Sequence, residues 1–234
     1  VEFGDGKYWL TVMGNPSVTE PWGWQLDGHH LVINYFMLGD QVVMTPTFWG
    51  SEPAVATAGK YAGTRIMDEE MTKGLAMIRA LDQKQQQEAI VMTRKTGNNI
   101  MTEAFSDNVI VNNIGVSVAG FSAEQKAMLM DLFGLYIGNM DAAQAEVKMA
   151  EITLHLDETW FAWVGDTRDD SVFYYRLQSP VVLIEFDHET PVGLTQYYQS
   201  GVPYREHIHA VVRTPNGNDY GKDLLRQHYA LQAH

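Results

Sequence analysis

Apolar and polar residues alternate along much of residues 8–48, the two-residue period of a half-buried strand. Tyr8 to Met13 is a short strand candidate, and Asn15-Pro16 and Glu20-Pro21 punctuate the stretch after it. His29 to Leu38 alternates and is rich in β-formers. Gly39-Asp40 then turns the chain, and Gln41 to Phe48 runs back as the second arm of a hairpin. Pro46 has no N–H for a ladder, so it ends that arm or holds it at an edge.

Between residues 66 and 154 the pattern changes to that of helices. Asp68-Glu-Glu-Met71 opens one with acidic side chains in its first turn, where they complement the helix dipole. Asp82 with Gln85 reads as an N-cap and its capping-box partner, and Ser122 with Gln125 repeats the arrangement. An apolar residue, Leu81 or Phe121, precedes each cap as in a hydrophobic staple. Two weakly similar helical units are therefore expected, which is too few for a solenoid. Thr96 to Gly120 is rich in Asn and Gly and reads as an irregular loop with one short strand around Val109–Val111. Asp141 to Thr153 is a further helix.

The β pattern returns over residues 158–213, with strands expected at 160–164, 172–177, 181–186 and 207–213. Asp219 to Ala230 fits a closing helix, capped by Asp219. The order β, α, β, α predicts one α+β domain over residues 1–234. Its mostly antiparallel sheet is built from the N- and C-terminal strands, with the helical middle segment packed to one side.

Composition narrows the function. The 234 residues are 45% hydrophobic, enough for one sizeable core, and the formal net charge is −13. Such a charge repels phosphate backbones and anionic membrane surfaces, so no nucleic-acid partner is expected. The absence of cysteine removes disulfides, thiolate nucleophiles and cysteine metal sites. No apolar run approaches the roughly 20 residues that span a bilayer. The chain starts at Val1 with no visible signal peptide. This leans towards a processed chain, secreted or periplasmic, and towards association with a missing N-terminal segment.

The candidate chemistry lies in histidines from the two β blocks. His207 and His209 are two apart on a predicted strand and share a face with Val211 and Arg213, opposite Ile208, Ala210 and Val212. Two convergent imidazoles suit a divalent metal, zinc first and copper or iron as alternatives; the plainer reading is a solvated polar strand face. His29 and His30 are adjacent and point to opposite faces, so at most one joins. His30 is preferred because it shares its face with Val32 and the unusual mid-strand Asn34, whereas His29 shares one with Leu31, Ile33 and Tyr35. A bend at Gly28 would invert the assignment. Gln25 and Asn34 are candidate substrate contacts.

Glu185 and Asp187 share one face of an otherwise apolar strand, where a buried carboxylate needs a partner. Glu185 is a ligand or general base, or else the ion-pair partner of an arginine; Asp187 caps the turn at the strand end. Arg176 and Arg213 are clamps for a substrate anion or oxyanion, or Arg176 is the buried partner of Glu185. His188 reads as a loop residue. His228, in the closing helix, is a further ligand or substrate contact, or an exposed side chain. The tryptophans 22, 24, 49, 160 and 163 form a sugar-stacking platform or ordinary packing, and the methionines fill the core in preference to binding copper. No nucleophile elbow, phosphate loop or dinucleotide fingerprint occurs.

Three stretches together carry a resemblance: Pro21-Trp-Gly-Trp-Gln-Leu-Asp-Gly-His-His-Leu-Val-Ile-Asn34, Tyr174-Tyr-Arg-Leu-Gln-Ser-Pro-Val-Val-Leu-Ile-Glu-Phe-Asp187, and His207-Ile-His-Ala-Val-Val-Arg213 followed by Asp219-Tyr-Gly-Lys-Asp-Leu-Leu-Arg-Gln-His228. The chain resembles, over nearly its whole length, a bacterial and fungal family catalogued as domain-of-unknown-function family 3500. Members look longer, with a helical segment ahead of the position of Tyr8. Here His188-Glu189-Thr190 and a Tyr/Gln-rich insert to Tyr204 replace a short link. The resemblance fixes motif positions more than a reaction. The expected function is a metal-dependent hydrolase acting on a small-molecule or polymer-derived substrate. A copper or iron oxidoreductase and a non-catalytic sugar or small-ligand binder stand as the alternatives.

Overall fold

Strands from opposite ends of the chain meet at the centre of one sheet. The computed structural model describes residues 4, 6–102 and 109–231. The first block supplies β1 (Trp9–Met13), β2 (Trp22–Asp27), β3 (Leu31–Leu38), β4 (Gln41–Val43) and β5 (Thr47–Ser51). The second supplies β8 (Trp160–Gly165), β9 (Phe173–Gln178), β10 (Leu183–His188) and β11 (Ile208–Arg213). Two short strands, β6 (Ile90–Met92) and β7 (Val116–Ser117), come from the middle. The spatial order is β1-β2-β3-β5-β11-β10-β9-β8-β6, with β4 beside β3 and β7 beside β8. Pairing is antiparallel except between β6 and β8. This is the α+β architecture the pattern predicts, and β5 against β11 is the seam between the two blocks. Pro46 divides the return arm of the first hairpin into β4 and β5, as a residue without an N–H must.

The sheet is apolar on one face and polar on the other. Phe161, Trp163, Tyr175, Leu177, Ile184, Phe186, Ala210 and Val212 are buried on the apolar face, which the register keeps continuous across four strands. α1 (Asp68–Ala80), α2 (Gln83–Ala89), α3 (Ala123–Ile137) and α4 (Ala142–Leu154) supply the rest of that core, through Met77, Ile78, Ala89, Leu129, Leu132, Phe133 and Ile152. Each large side chain buried there contributes about 1.5–3 kcal/mol. Gly74 of α1 rests on the Tyr175 ring, where an added Cβ would stand 2.3 Å from Cε1.

Both predicted capping boxes form, and they also clasp each other. Gln85 Nε2 donates to Gln125 Oε1 (3.2 Å), and Gln125 Nε2 donates to Gln85 Oε1 (2.8 Å) and to the Ala80 carbonyl (2.9 Å). The two similar helical units are thus joined at their helix starts.

The opposite face carries Arg176, Glu185, Asp187, Arg213 and the histidine cluster. α5 (Lys222–Leu231) follows Gly221, which presses on the Phe36 ring from this side. Among the described residues no helix is long and apolar enough to cross a membrane.

Several local expectations are corrected. Val109–Val111 is not a strand: the Val111 carbonyl accepts from Gln178 Nε2 (2.9 Å) and the next carbonyl, Asn112, from Arg176 (2.7 Å), so side chains satisfy this stretch. The remainder of that loop, 103–108, lies outside the described residues. Asp219 does not cap α5; its carboxylate turns inward to Arg213 (2.7 Å) and the Thr214 N–H (3.0 Å). His188 is not in a loop but ends β10, fully buried against Phe173 and Phe186.

Candidate metal centre

His207 and His209 project from the start of β11, and His30 from the turn that leads into β3. Gly50 of β5 lies between them. It pairs with His209 in the ladder and donates its N–H to the His30 carbonyl (2.9 Å). A residue between two others on the same sheet face normally fills that space with a side chain. At Gly50 an added Cβ would stand 2.6 Å from His209 Cδ2 and 3.0 Å from His30 Cδ2. The missing side chain lets two imidazoles close across an intervening strand.

The three rings converge through Nε2. His207 Nε2 lies 3.0 Å from His209 Nε2, which lies 3.3 Å from His30 Nε2. All three ligand atoms fall within 4.8 Å of one another. Zinc in tetrahedral coordination, with Zn–N bonds of about 2.0–2.1 Å, separates its ligand nitrogens by roughly 3.3 Å.

Protonation supports the same arrangement. The His207 Nδ1 stands 2.7 Å from the Thr190 carbonyl, an acceptor only, so Nδ1 carries the proton and Nε2 a lone pair. His209 Nδ1 stands 3.2 Å from the Glu189 carboxylate outside hydrogen-bond geometry, a charge contact in place of a hydrogen bond. Two lone pairs at 3.0 Å repel unless a cation or proton lies between them. Burial, reinforced by the neighbouring imidazoles, pushes His30 down to about 3. Burial also lowers His207, although the Thr190 carbonyl works against it. At neutral pH these two rings are uncharged, as metal ligands must be.

Glu189 and Thr190 begin the excursion that returns at His207. Glu52, at the end of β5, holds this excursion: its carboxylate accepts N–H bonds from Val192 (3.0 Å) and Gly193 (2.6 Å) and the Tyr204 hydroxyl (2.6 Å). Burial alone would raise the Glu52 carboxyl, but the Tyr204 hydroxyl and the two N–H groups bring it below its usual range.

The other predicted site residues are placed elsewhere. Glu185 is fully buried and turned onto the segment above the sheet. It accepts from Tyr174 Oη (2.6 Å), the Met101 N–H (3.0 Å), the Thr102 N–H (2.9 Å) and the Thr102 hydroxyl. Its oxygens are occupied, and it is not part of the imidazole group. Arg176 holds the Asn112 carbonyl; Arg213 holds the Thr102 carbonyl and pairs with Asp219. All three bind the covering segment to the sheet. Asp187 does not cap a turn but pairs with Lys95 (2.8 Å), both side chains fully buried. Burial pushes Asp187 up to about 8 against the pull of Lys95, and burial also lowers Lys95. Gln25 and Asn34 are cross-strand partners further along β2 and β3. His228 is 3.9 Å from Glu20, apart from the imidazole group. The tryptophans do not form one platform: Trp163 is in the core, Trp49 packs on Tyr136 and Trp24 stacks on Tyr35.

Gly50, Glu52, Glu189, Thr190 and Lys95 are missed by sequence reasoning. Gly50 alone has a local signal, since an isolated glycine in a strand marks a close approach. The others are recognisable only through partners distant in sequence.

No curated protein and no solved structure matches the chain. A family model matches residues 2–222, nearly the whole length. The chain belongs to the family described as "Protein of unknown function (DUF3500)".

Proposed function

We propose that His30, His207 and His209 hold one divalent metal ion, zinc in the first instance, and that the protein is a metal-dependent hydrolase. One observation carries the reading: three Nε2 atoms converge while the Thr190 carbonyl holds the proton of His207 on Nδ1 and the Glu189 carboxylate stands 3.2 Å from His209 Nδ1. Glu189 and the Thr190 carbonyl act as the outer partners that orient ligand histidines. Three imidazoles leave a coordination position for water or substrate, and zinc so held supplies Lewis acidity and lowers the pKa of a water. The ligand set lacks the carboxylate of the iron facial triad and the thiolate of blue copper. With Glu185, Arg176 and Arg213 committed to the fold, the chemistry rests on the imidazoles and their outer partners.

Metal analysis of tag-free protein tests the proposal. About one equivalent of zinc is expected, lost in His209→Ala and kept in His29→Ala, with metal-dependent hydrolysis of an activated ester by the loaded protein. Stoichiometric copper in place of zinc would move the reaction to oxygen chemistry. No metal after incubation with zinc, copper or iron salts, with stability unchanged in His209→Ala, would remove the metal reading in favour of a ligand-binding protein.

A further inference from the structure

The sheet face that carries His30 continues along β2 and β3 into a second feature, a cleft of about 360 Å³ closed on one side by Tyr220, Leu225 and Tyr229. Its floor is Gln25 and Asn34, directly opposite each other, with Phe36 beside them. None of its lining residues is charged, in a chain of net charge −13. No charged side chain of the lining offers an ion a counter-charge.

Asn34 is 5% exposed, and its amide group is half used: Nδ2 donates to the Pro46 carbonyl (2.7 Å). Gln25 Nε2 likewise donates to Asp27 Oδ1 (2.9 Å). Each NH₂ keeps a second N–H, so each amide can offer a ligand both an acceptor oxygen and a donor hydrogen. An apolar ligand would strand the Asn34 oxygen, at a cost of about 1–3 kcal/mol for a buried unmet polar group. A fitting ligand both donates and accepts at the floor, as hydroxyls do, and brings an uncharged, partly apolar face to Phe36, Tyr220 and Tyr229. Tyr220 is held with a left-handed backbone (φ 61°), and its N–H donates to the Thr45 carbonyl (2.8 Å). Backbone strain of this kind concentrates where a side chain must be aimed.

We propose that this cleft binds a neutral sugar ring, with hydroxyls donating to Gln25 and Asn34 and the C–H face of the ring stacked on the aromatic wall. Asn34 lies on β3 four residues after His30, which precedes the strand, a separation of at most about 13 Å for extended chain. A neutral oligosaccharide seated in the cleft reaches towards the imidazoles. That extension rests on the metal reading, whereas binding in the cleft does not.

Calorimetric titration of the full chain with cellotetraose, xylotetraose, maltotetraose and chitotetraose, with and without EDTA, separates the two. The expected result is binding of at least one of these sugars, unaffected by EDTA. Tyr229→Ala and Gln25→Ala should each weaken it by about 2–10-fold, the loss of one stacking contact or one hydrogen bond, with unchanged folding by circular dichroism. No binding of any of the four at millimolar concentration overturns the proposal. So does binding that neither substitution changes, or binding of indole that no sugar displaces. Failure of the metal reading alone would leave the sugar isotherms intact and abolish only metal-dependent cleavage.

Discussion

His209 turns its Nδ1 towards Glu189, 3.2 Å from the carboxylate, and its Nε2 towards His207 and His30. A carboxylate so placed favours a proton on the near nitrogen, Nδ1, although the two atoms do not meet in hydrogen-bond geometry. Glu189→Gln keeps the shape but removes the charge. Zinc affinity should fall about 10–100-fold, the usual cost of losing an outer partner of a ligand histidine. Competition against a chromophoric chelator measures this, and unchanged affinity would remove Glu189 from the centre.

Gly50→Ala tests the meeting of His30 and His209 from the opposite direction. Its Cβ would press on both rings and stand 2.8 Å from the Ile208 carbonyl. Overpacking of this kind costs about 1–3 kcal/mol, so a modest drop in the denaturation midpoint should accompany loss of metal binding. Retained stoichiometric zinc in Gly50→Ala would show that the glycine does not set the spacing.

The buried Lys95–Asp187 pair ties the segment above the sheet to β10. Burial keeps Asp187 largely protonated at neutral pH, so Lys95→Met leaves a buried carboxyl short of a hydrogen-bond partner and should destabilise by about 1–3 kcal/mol. The double variant Lys95→Met/Asp187→Asn should recover part of that loss. Urea denaturation of the single and double variants closes the cycle, and additive losses would show that the two residues are uncoupled.

His188 predicts acid sensitivity. Burial pushes it down to about 3, and its Nδ1 lies 3.0 Å from both the N–H and the carbonyl of Phe173. A depressed imidazole binds its proton more readily in the unfolded chain. Its contribution to stability is complete above the unfolded value of about 6.5 and is lost as pH falls from there towards 3. His188→Gln should remove about 1.4 kcal/mol per pH unit from the slope of stability against pH between 4 and 6. His30 adds to the slope in the same window, so urea midpoints of wild type and variant must be compared over one pH series.

The linked capping boxes give a test remote from the histidines. Gln125→Ala removes the helix-start bond to Ser122 and the three hydrogen bonds that join it to Gln85 and Ala80. A loss of about 1–2 kcal/mol is expected, or roughly 2–8 °C in melting temperature. An unchanged melting curve would mean that water replaces the clasp.

Where the chain's own periodicity decides the outcome, the sequence is readable. The strand blocks, and Asp82 and Ser122 as caps, follow from side-chain direction or from hydrogen bonds within four residues. Strand alternation does not separate His30 from His29, because both lie in the turn before β3 and their rings are 4.2 Å apart. The sequence misleads where a partner lies far away. Glu185 looks like a ligand because a carboxylate on an apolar strand needs company, yet that company is Tyr174 and the chain at 101–102. The same holds for Asp219, which resembles a cap and serves Arg213. Asp187 resembles a turn residue and meets Lys95. The polar face has too many buried charges for local reasoning to divide between holding the fold together and meeting a ligand.

His30 and His209 stand 179 positions apart in the chain and 3.3 Å apart in space. Any ion gripping both works as a reversible cross-link between the N- and C-terminal strand blocks, one that no partly folded fragment can offer. Its binding energy therefore accrues to the finished fold alone, adding about 2.7 kcal/mol when free ion stands at a hundred times its dissociation constant. Chelation would then unlatch a seam between strands as well as silence a reaction.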